Sequence, residues 1–240
     1  MYLSRSLRLF IFFLFFSSGL VWGGFPAPLI VEHGPRNTHQ LALTFDACPA
    51  GTPYEYDEKV IEILLREKVP ATLFLSGRWV EKNVEKATFL ASQPQFEIAN
   101  HGFYHANMTE KPDDRVKQEL VRTQSIIEKL TGKRPRYFRP PYGEVDERVA
   151  KLAAEAGLVT IQYDLASGDP DPNLSAKAIV RVVLRDAQGG SIIVFHMNRK
   201  GVHTAEILPE VIQGLRQKGF MLVTVGELLG NSKPQMVNPK

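Results

Sequence analysis

The sequence predicts a single α/β domain whose parallel sheet closes into a (β/α)7 barrel. Three observations point there. Seven short apolar runs of strand length recur along the 240 residues, and helix-period patterns separate several of them. Seven strands alternating with helices imply a parallel sheet, and seven or eight such units close most simply into a barrel. An open doubly wound sheet is the runner-up, but no glycine-rich phosphate loop follows the first run, and that loop is its usual mark.

The strand runs are Leu41–Ala47, Ala71–Gly77, Phe96–Gly102, Tyr137–Gly143, Val159–Ala166, Ser191–Met197 and Phe220–Gly226. Each is nearly continuous in apolar residues, as strands buried on both faces are. Helices are expected over 56–68, with Val60, Ile61, Leu64 and Leu65 three or four apart, and over 115–132, with Val116, Leu120, Ile127 and Leu130. The second ends on Gly132, a C-terminal stop. Two more run from Asp146 to Gly157 and from Ser175, an N-cap, to the glycine pair at 189–190.

The first 23 residues read as an export signal. Arg5 and Arg8 precede a wholly apolar core, Leu9–Phe16, and small residues follow at Gly19, Gly23 and Gly24. That core is shorter than the roughly 20 residues needed to span a bilayer, so cleavage is expected, with an uncleaved anchor as the alternative. Residues 24–40, with three prolines, read as an irregular N-terminal strap. Residues 41–230 form the domain and 231–240 a frayed tail. The chain carries 29 basic and 26 acidic residues; without the two signal arginines the balance is 27 against 26, or +1. So small an excess argues against a nucleic-acid partner. A single cysteine, Cys48, allows no internal disulfide.

In parallel α/β folds ligands sit at the carboxyl ends of strands. This chain places Asp46, His101, His105, Arg139, Asp164, Ser167, Asp169 and His196 there. His101 and His105, four apart, suit a divalent metal if the chain turns helically after the strand. Tyr54, Tyr56, Tyr104 and Tyr142 are aromatic candidates for stacking on sugar rings, with ordinary packing as the alternative.

Five stretches, "TFDAC", "HGFYH", "RPPYG", "DLASGD" and "VFH", stand in order along Leu41–Gly230. Together they resemble the five motifs of the NodB-homology polysaccharide deacetylases, carbohydrate esterase family 4, whose fold is a distorted seven-stranded β/α barrel. The resemblance implies Asp46 as catalytic base, Arg139 as its holder, His196 as general acid and Asp169 as the residue that tunes it. It implies His101 and His105 as ligands of a divalent metal, with Zn²⁺ expected. Tyr142, with Pro141 and Tyr104, falls to substrate binding, the Tyr142 backbone N–H helping to form the oxyanion pocket. An exported, periplasmic or extracellular enzyme follows, acting as a monomer on N-acetyl groups of a peptidoglycan- or chitin-like glycan. A non-catalytic or altered-metal glycan-binding relative, or an O-acetyl esterase, is the alternative.

Two positions depart from the family pattern. The second aspartate of the first motif, the third metal ligand, is Ala47 here, and the tryptophan after the tuning aspartate is Pro170. The expectation is that the backbone still aims position 47 at His101 and His105 and that a weakened site holds its metal with water in the missing place. Cys48 reads as a small buried residue, with a soft substitute ligand as the alternative.

Overall fold

The computed structural model describes residues 30–49, 56–198 and 200–230. The expected signal, the first part of the strap and the tail at 231–240 lie outside the described residues. In chain order the elements are β1 (Ile30–Val31), β2 (Gln40–Ala47), α1 (Glu58–Arg66), β3 (Ala71–Leu75), α2 (Gly77–Lys82), α3 (Val84–Ser92), β4 (Phe96–Asn100), α4 (Asp113–Thr131) and β5 (Tyr137–Phe138). There follow α5 (Glu147–Glu155), β6 (Val159–Ile161), β7 (Leu165–Ala166), α6 (Ala176–Asp186), β8 (Ile192–His196), α7 (Thr204–Gln217), β9 (Met221–Val223) and α8 (Val225–Gly230).

All seven apolar runs carry strands, and every ladder between named strands is parallel. The path through the sheet is β1-β6-β5-β4-β3-β2-β8-β7, with β9 pairing the start of β2. The run Val159–Ala166 is not one strand. Its first part, β6, pairs β5, and its last part, β7, pairs β8 at the other end of the path. The chain between them carries the sheet around on itself, which makes a curled, distorted barrel. β5 is only two residues long because Pro140 and Pro141 follow within three residues, and proline cannot donate to a ladder.

Side chains alternate along β2 as a pleated strand requires. Leu41, Leu43, Phe45 and Ala47 pack outward with Val60 and Leu64 of α1 and Leu208 and Val211 of α7. Ala42 faces inward with Phe74, Ala99 and Ile192, and Thr44 and Asp46 share that parity. The helices are set by ordinary signals. The carboxylates of Asp57 and Asp146 and the Ser175 hydroxyl cap α1, α5 and α6 by accepting from Lys59, Val149 and Ala178 N–H groups. Helices α2, α3, α7 and α8 are additions to the sequence reading.

The strap is not irregular throughout. Ile30–Val31 adds to β6, His33 bridges Ser191, and the Gly34 N–H donates to the Gly190 carbonyl at 2.7 Å. It lies so close to 189–190 that a Cβ on Gly189 would overlap the Thr38 carbonyl oxygen. Asp164 fastens this seam: it accepts from Arg36 at 2.8 Å, from the Ser191 hydroxyl at 2.9 Å and from the Ile192 N–H at 2.8 Å.

The Arg36 side chain is 37% exposed and that of Asp164 13%. Asp164→Ala should therefore cost about 1–3 kcal/mol, since it strands a backbone N–H. Arg36→Ala should cost no more than about 1 kcal/mol. Urea denaturation of both variants checks the order; equal losses would show that the ion pair, not the backbone bond, holds the seam.

Candidate active site

The carboxyl ends of β2, β4, β5, β7 and β8 and the loops after them surround a cavity of about 280 Å³. Asp46 is the next-to-last residue of β2 and stands in register with His196 on β8 and Phe74 on β3. Arg139 follows β5 and is fully buried. Its Nη1 donates to Asp46 Oδ1 at 2.9 Å and to Thr44 Oγ1 at 2.8 Å, and its Nη2 donates to the Gln162 carbonyl at 3.2 Å. The guanidinium lies over the Phe74 ring, 4.1 Å from its centre. Burial pushes the Asp46 pKa up. The Arg139 charge first, with the His196 charge and the Arg139 hydrogen bond, outweighs it and holds the carboxyl below its ordinary value.

His196 is built the opposite way. Its Nδ1 faces Asp169 Oδ1 at 2.9 Å, and its backbone N–H donates to Asp169 Oδ2 at 2.7 Å. Asp169 is fully buried and also accepts from Ser167 Oγ at 3.0 Å and Thr204 Oγ1 at 2.6 Å. Burial pulls the His196 pKa down, but the Asp169 hydrogen bond and charge, with Asp46, raise it above the ordinary imidazole value.

His101 is anchored by the same arginine's backbone. Its Nδ1 donates to the Arg139 carbonyl at 2.8 Å. A carbonyl only accepts, so Nε2 keeps its lone pair. His105 sits at φ 59° with its ring edge-on to His101, centroids 4.9 Å apart, and to Tyr142 at 4.5 Å. Burial pushes the His105 pKa down to about 3 and lowers that of His101. Both imidazoles are thus neutral at ordinary pH, the form that ligates metal. The loop carrying them turns at Gly102, φ 69°, whose N–H donates to Asn100 Oδ1. The Phe103 and Tyr104 N–H groups both donate to Glu119 Oε2 at 2.7 Å. Glu119, Ser167 and Thr204 thus support the site; Ser167 stands among the strand-end residues expected from the sequence, whereas Glu119 and Thr204 do not. For Glu119 there was a signal, an acid three residues from Val116 on the apolar face of α4.

Position 47 corrects an expectation. β2 keeps its pleat one residue past Asp46, with Ala47 opposite Leu75. The Ala47 side chain is therefore packed with Leu43, Phe45 and Leu75 in the outer core, away from the histidines. Cys48, next along, lines the cavity instead, with Sγ 3.7 Å from His101 Nε2. Burial pushes its thiol pKa well up. Pro170 and Tyr142 also line the cavity, Tyr142 at φ 62° and largely exposed. A left-handed non-glycine residue stores strain, which clusters at functional sites. Pro141 is buried and does not line the cavity, and Tyr104 lies outside it, its hydroxyl accepting from Arg122. Tyr56 packs edge-on against Trp79, and Tyr54 lies outside the described residues.

The donor set fits a divalent cation. Among the described residues, Cys48, His101 and His105 each offer one ligand atom within 4.8 Å of the others. With the cation bound, Lewis-acid polarisation of a carbonyl and acidification of a water become available.

Comparison with known proteins identifies the family. The polysaccharide deacetylase family profile matches residues 33–161. A peptidoglycan-N-acetylglucosamine deacetylase of Bacillus cereus is 32% identical over 203 residues, spanning 83% of this chain and 72% of that protein. A solved peptidoglycan N-acetylglucosamine deacetylase superposes with a TM-score of 0.77 at 30% identity, over 86% of this chain and 95% of the other. A carbohydrate esterase family 4 pseudoenzyme from Bacillus anthracis superposes at 0.76 with 28% identity, over 85% and 70%. More than half of the sequence follows the family profile, and the barrel coincides with those of family members over most of its length: the chain belongs to the polysaccharide deacetylases, carbohydrate esterase family 4.

Proposed function

We propose that this protein is an exported enzyme that hydrolyses N-acetyl groups of an amino-sugar polymer, with peptidoglycan as the first candidate because the similar relatives are named for it. The observation that carries the reading is the pairing of Asp46 and His196. They stand in register on adjacent strands, and their surroundings push their pKa values apart. A low carboxylate and a raised imidazole on one cavity make a base and an acid that coexist at neutral pH.

The roles follow. Asp46 takes a proton from the water whose oxygen bonds to the acetyl carbon. Arg139 keeps Asp46 charged and fixed. The Tyr142 backbone N–H donates to the oxyanion. His196, oriented by Asp169, gives its proton to the nitrogen as the C–N bond breaks, leaving acetate and a free amine. His101 and His105 hold the divalent cation, with Zn²⁺ favoured by the nitrogen-rich set. Arg5, Arg8 and the apolar core at Leu9–Phe16 support export to the periplasm or cell exterior. Among the described residues no helix is long and apolar enough to cross a membrane.

The similarity to a pseudoenzyme favours a second reading, a glycan-binding protein without turnover. Against it, Asp46 is paired with Arg139 and His196 with Asp169 on one cavity, and binding alone requires neither pair. Acetate release from N-acetylglucosamine oligomers and from peptidoglycan, with and without added Zn²⁺, separates the readings. Metal-dependent acetate with matching free amine supports the enzyme. Folded, metal-loaded protein that binds glycan and releases nothing supports the other.

Asp46→Asn keeps the shape but cannot take a proton, so kcat should fall by about 10²–10⁴-fold. Circular dichroism should confirm an intact fold; a variant that retained most of its rate would move the base elsewhere. Activity should be lost in acid as Asp46 protonates, below the ordinary carboxylate range, and in alkali as His196 deprotonates, above the ordinary imidazole value. Asp169→Asn removes what raises His196, so the alkaline limb of the residual kcat/KM profile should move to lower pH. An unmoved limb would show that His196 is not the titrating acid.

A further inference from the structure

The metal reading above leaves the third protein ligand open, and the structure brings one side chain to it. We propose that Cys48 is that ligand, making the centre a His101–His105–Cys48 site; the inference rests on the metal part of the proposed function and not on turnover.

Four observations carry it. First, Cys48 Sγ lies 3.7 Å from His101 Nε2. A Zn–S bond of about 2.3 Å and a Zn–N bond of about 2.0–2.1 Å at a tetrahedral angle would separate sulfur and nitrogen by about 3.6 Å. The pair already stands at the edge length of a tetrahedral site. Second, among the described residues the group whose ligand atoms all lie within 4.8 Å of one another is Cys48, His101 and His105. Asp46 is not in it: its Oδ2 also stands 3.7 Å from His101 Nε2, but its Oδ1 is held by Arg139 at 2.9 Å. Third, His101 and Cys48 are held in place from behind. The Arg139 carbonyl accepts from His101 Nδ1, and Asn198 Nδ2 donates to the Cys48 carbonyl at 2.6 Å. Such outer contacts orient ligands. Fourth, position 47 cannot serve, because the pleat of β2 turns it into the outer core. The ligand lost at 47 is recovered one residue later, where the strand has ended.

Three protein ligands with an open fourth position are the pattern of catalytic zinc sites. On binding, the metal–sulfur bond forms as the S–H bond breaks and its proton leaves to solvent. A thiolate also changes selectivity. It favours Zn²⁺ and Co²⁺ over the hard cations Mg²⁺ and Mn²⁺.

The test uses cobalt as a spectroscopic zinc substitute. The native protein loaded with one equivalent of Co²⁺ should show the near-ultraviolet charge-transfer band of a thiolate–cobalt bond. Imidazole and carboxylate ligands give no such band. Cys48→Ser and Cys48→Asp should both lose it. Cys48→Ser should weaken Zn²⁺ by more than the roughly tenfold that even an outer-contact loss costs. Bound cobalt without the band, or Zn²⁺ affinity unchanged in Cys48→Ser, overturns the inference while leaving a two-histidine centre standing. No cobalt bound at all overturns it together with the metal part of the proposed function. Acetate release enters none of these readouts.

Discussion

The site depends on one buried ion pair, Asp46 with Arg139. A carboxylate and a guanidinium taken out of water repay their desolvation only with close geometry and further hydrogen bonds. Both conditions are met. The pair is 2.9 Å apart, the same Nη1 donates to Thr44, Nη2 donates to the Gln162 carbonyl, and the Phe74 ring covers the guanidinium. Removing one partner would leave the other charged and buried, at a cost of about 3–5 kcal/mol. The arginine also ties the end of β5 to the middle of the barrel, and its carbonyl fixes the His101 ring. One residue thus sets the charge of the proposed base and the direction of a proposed metal ligand.

Around that pair the protein sorts protons by environment. Burial acts on Asp46, His101, His105 and His196 alike, and always against charge. Where a partner of opposite charge is close, the charged form survives, as with Asp46 beside Arg139 and His196 beside Asp169. Where none is strong enough, the group stays neutral, as with the two loop histidines. The proposed acid, base and metal ligands share one pocket through that division.

Much of this was legible in the chain. Parallel strands buried on both faces write themselves as apolar runs, so the seven strands and the residues at their ends could be read directly. Boundaries were harder. The run Val159–Ala166 gives no local sign that it splits between two sheet neighbours, because the split is set by closure of the barrel. Helix α7 carries Pro209 inside it, which reads as a breaker, and Asn83 divides α2 from α3. Asp169's partner Thr204 and the loop's anchor Glu119 are 35 and 15–16 residues from the groups they hold. Nothing in a short motif announces them. Position 47 was misread for a related reason. Which way a residue points at a strand end depends on where the pleat stops, and here it runs one residue past Asp46.

The most direct measurement is the protonation state of Asp46 itself. Infrared spectroscopy on protein with isotopically labelled aspartate, native minus Asp46→Asn, isolates its carboxyl signal while near-ultraviolet circular dichroism tracks the fold. The ionised carboxylate band of Asp46 should persist in acid through the pH at which ordinary aspartates titrate, about 3.9. A protonated carboxyl signal from Asp46 at neutral or mildly acidic pH would mean that burial outweighs Arg139. The base, and the division of protons built on it, would then be wrong.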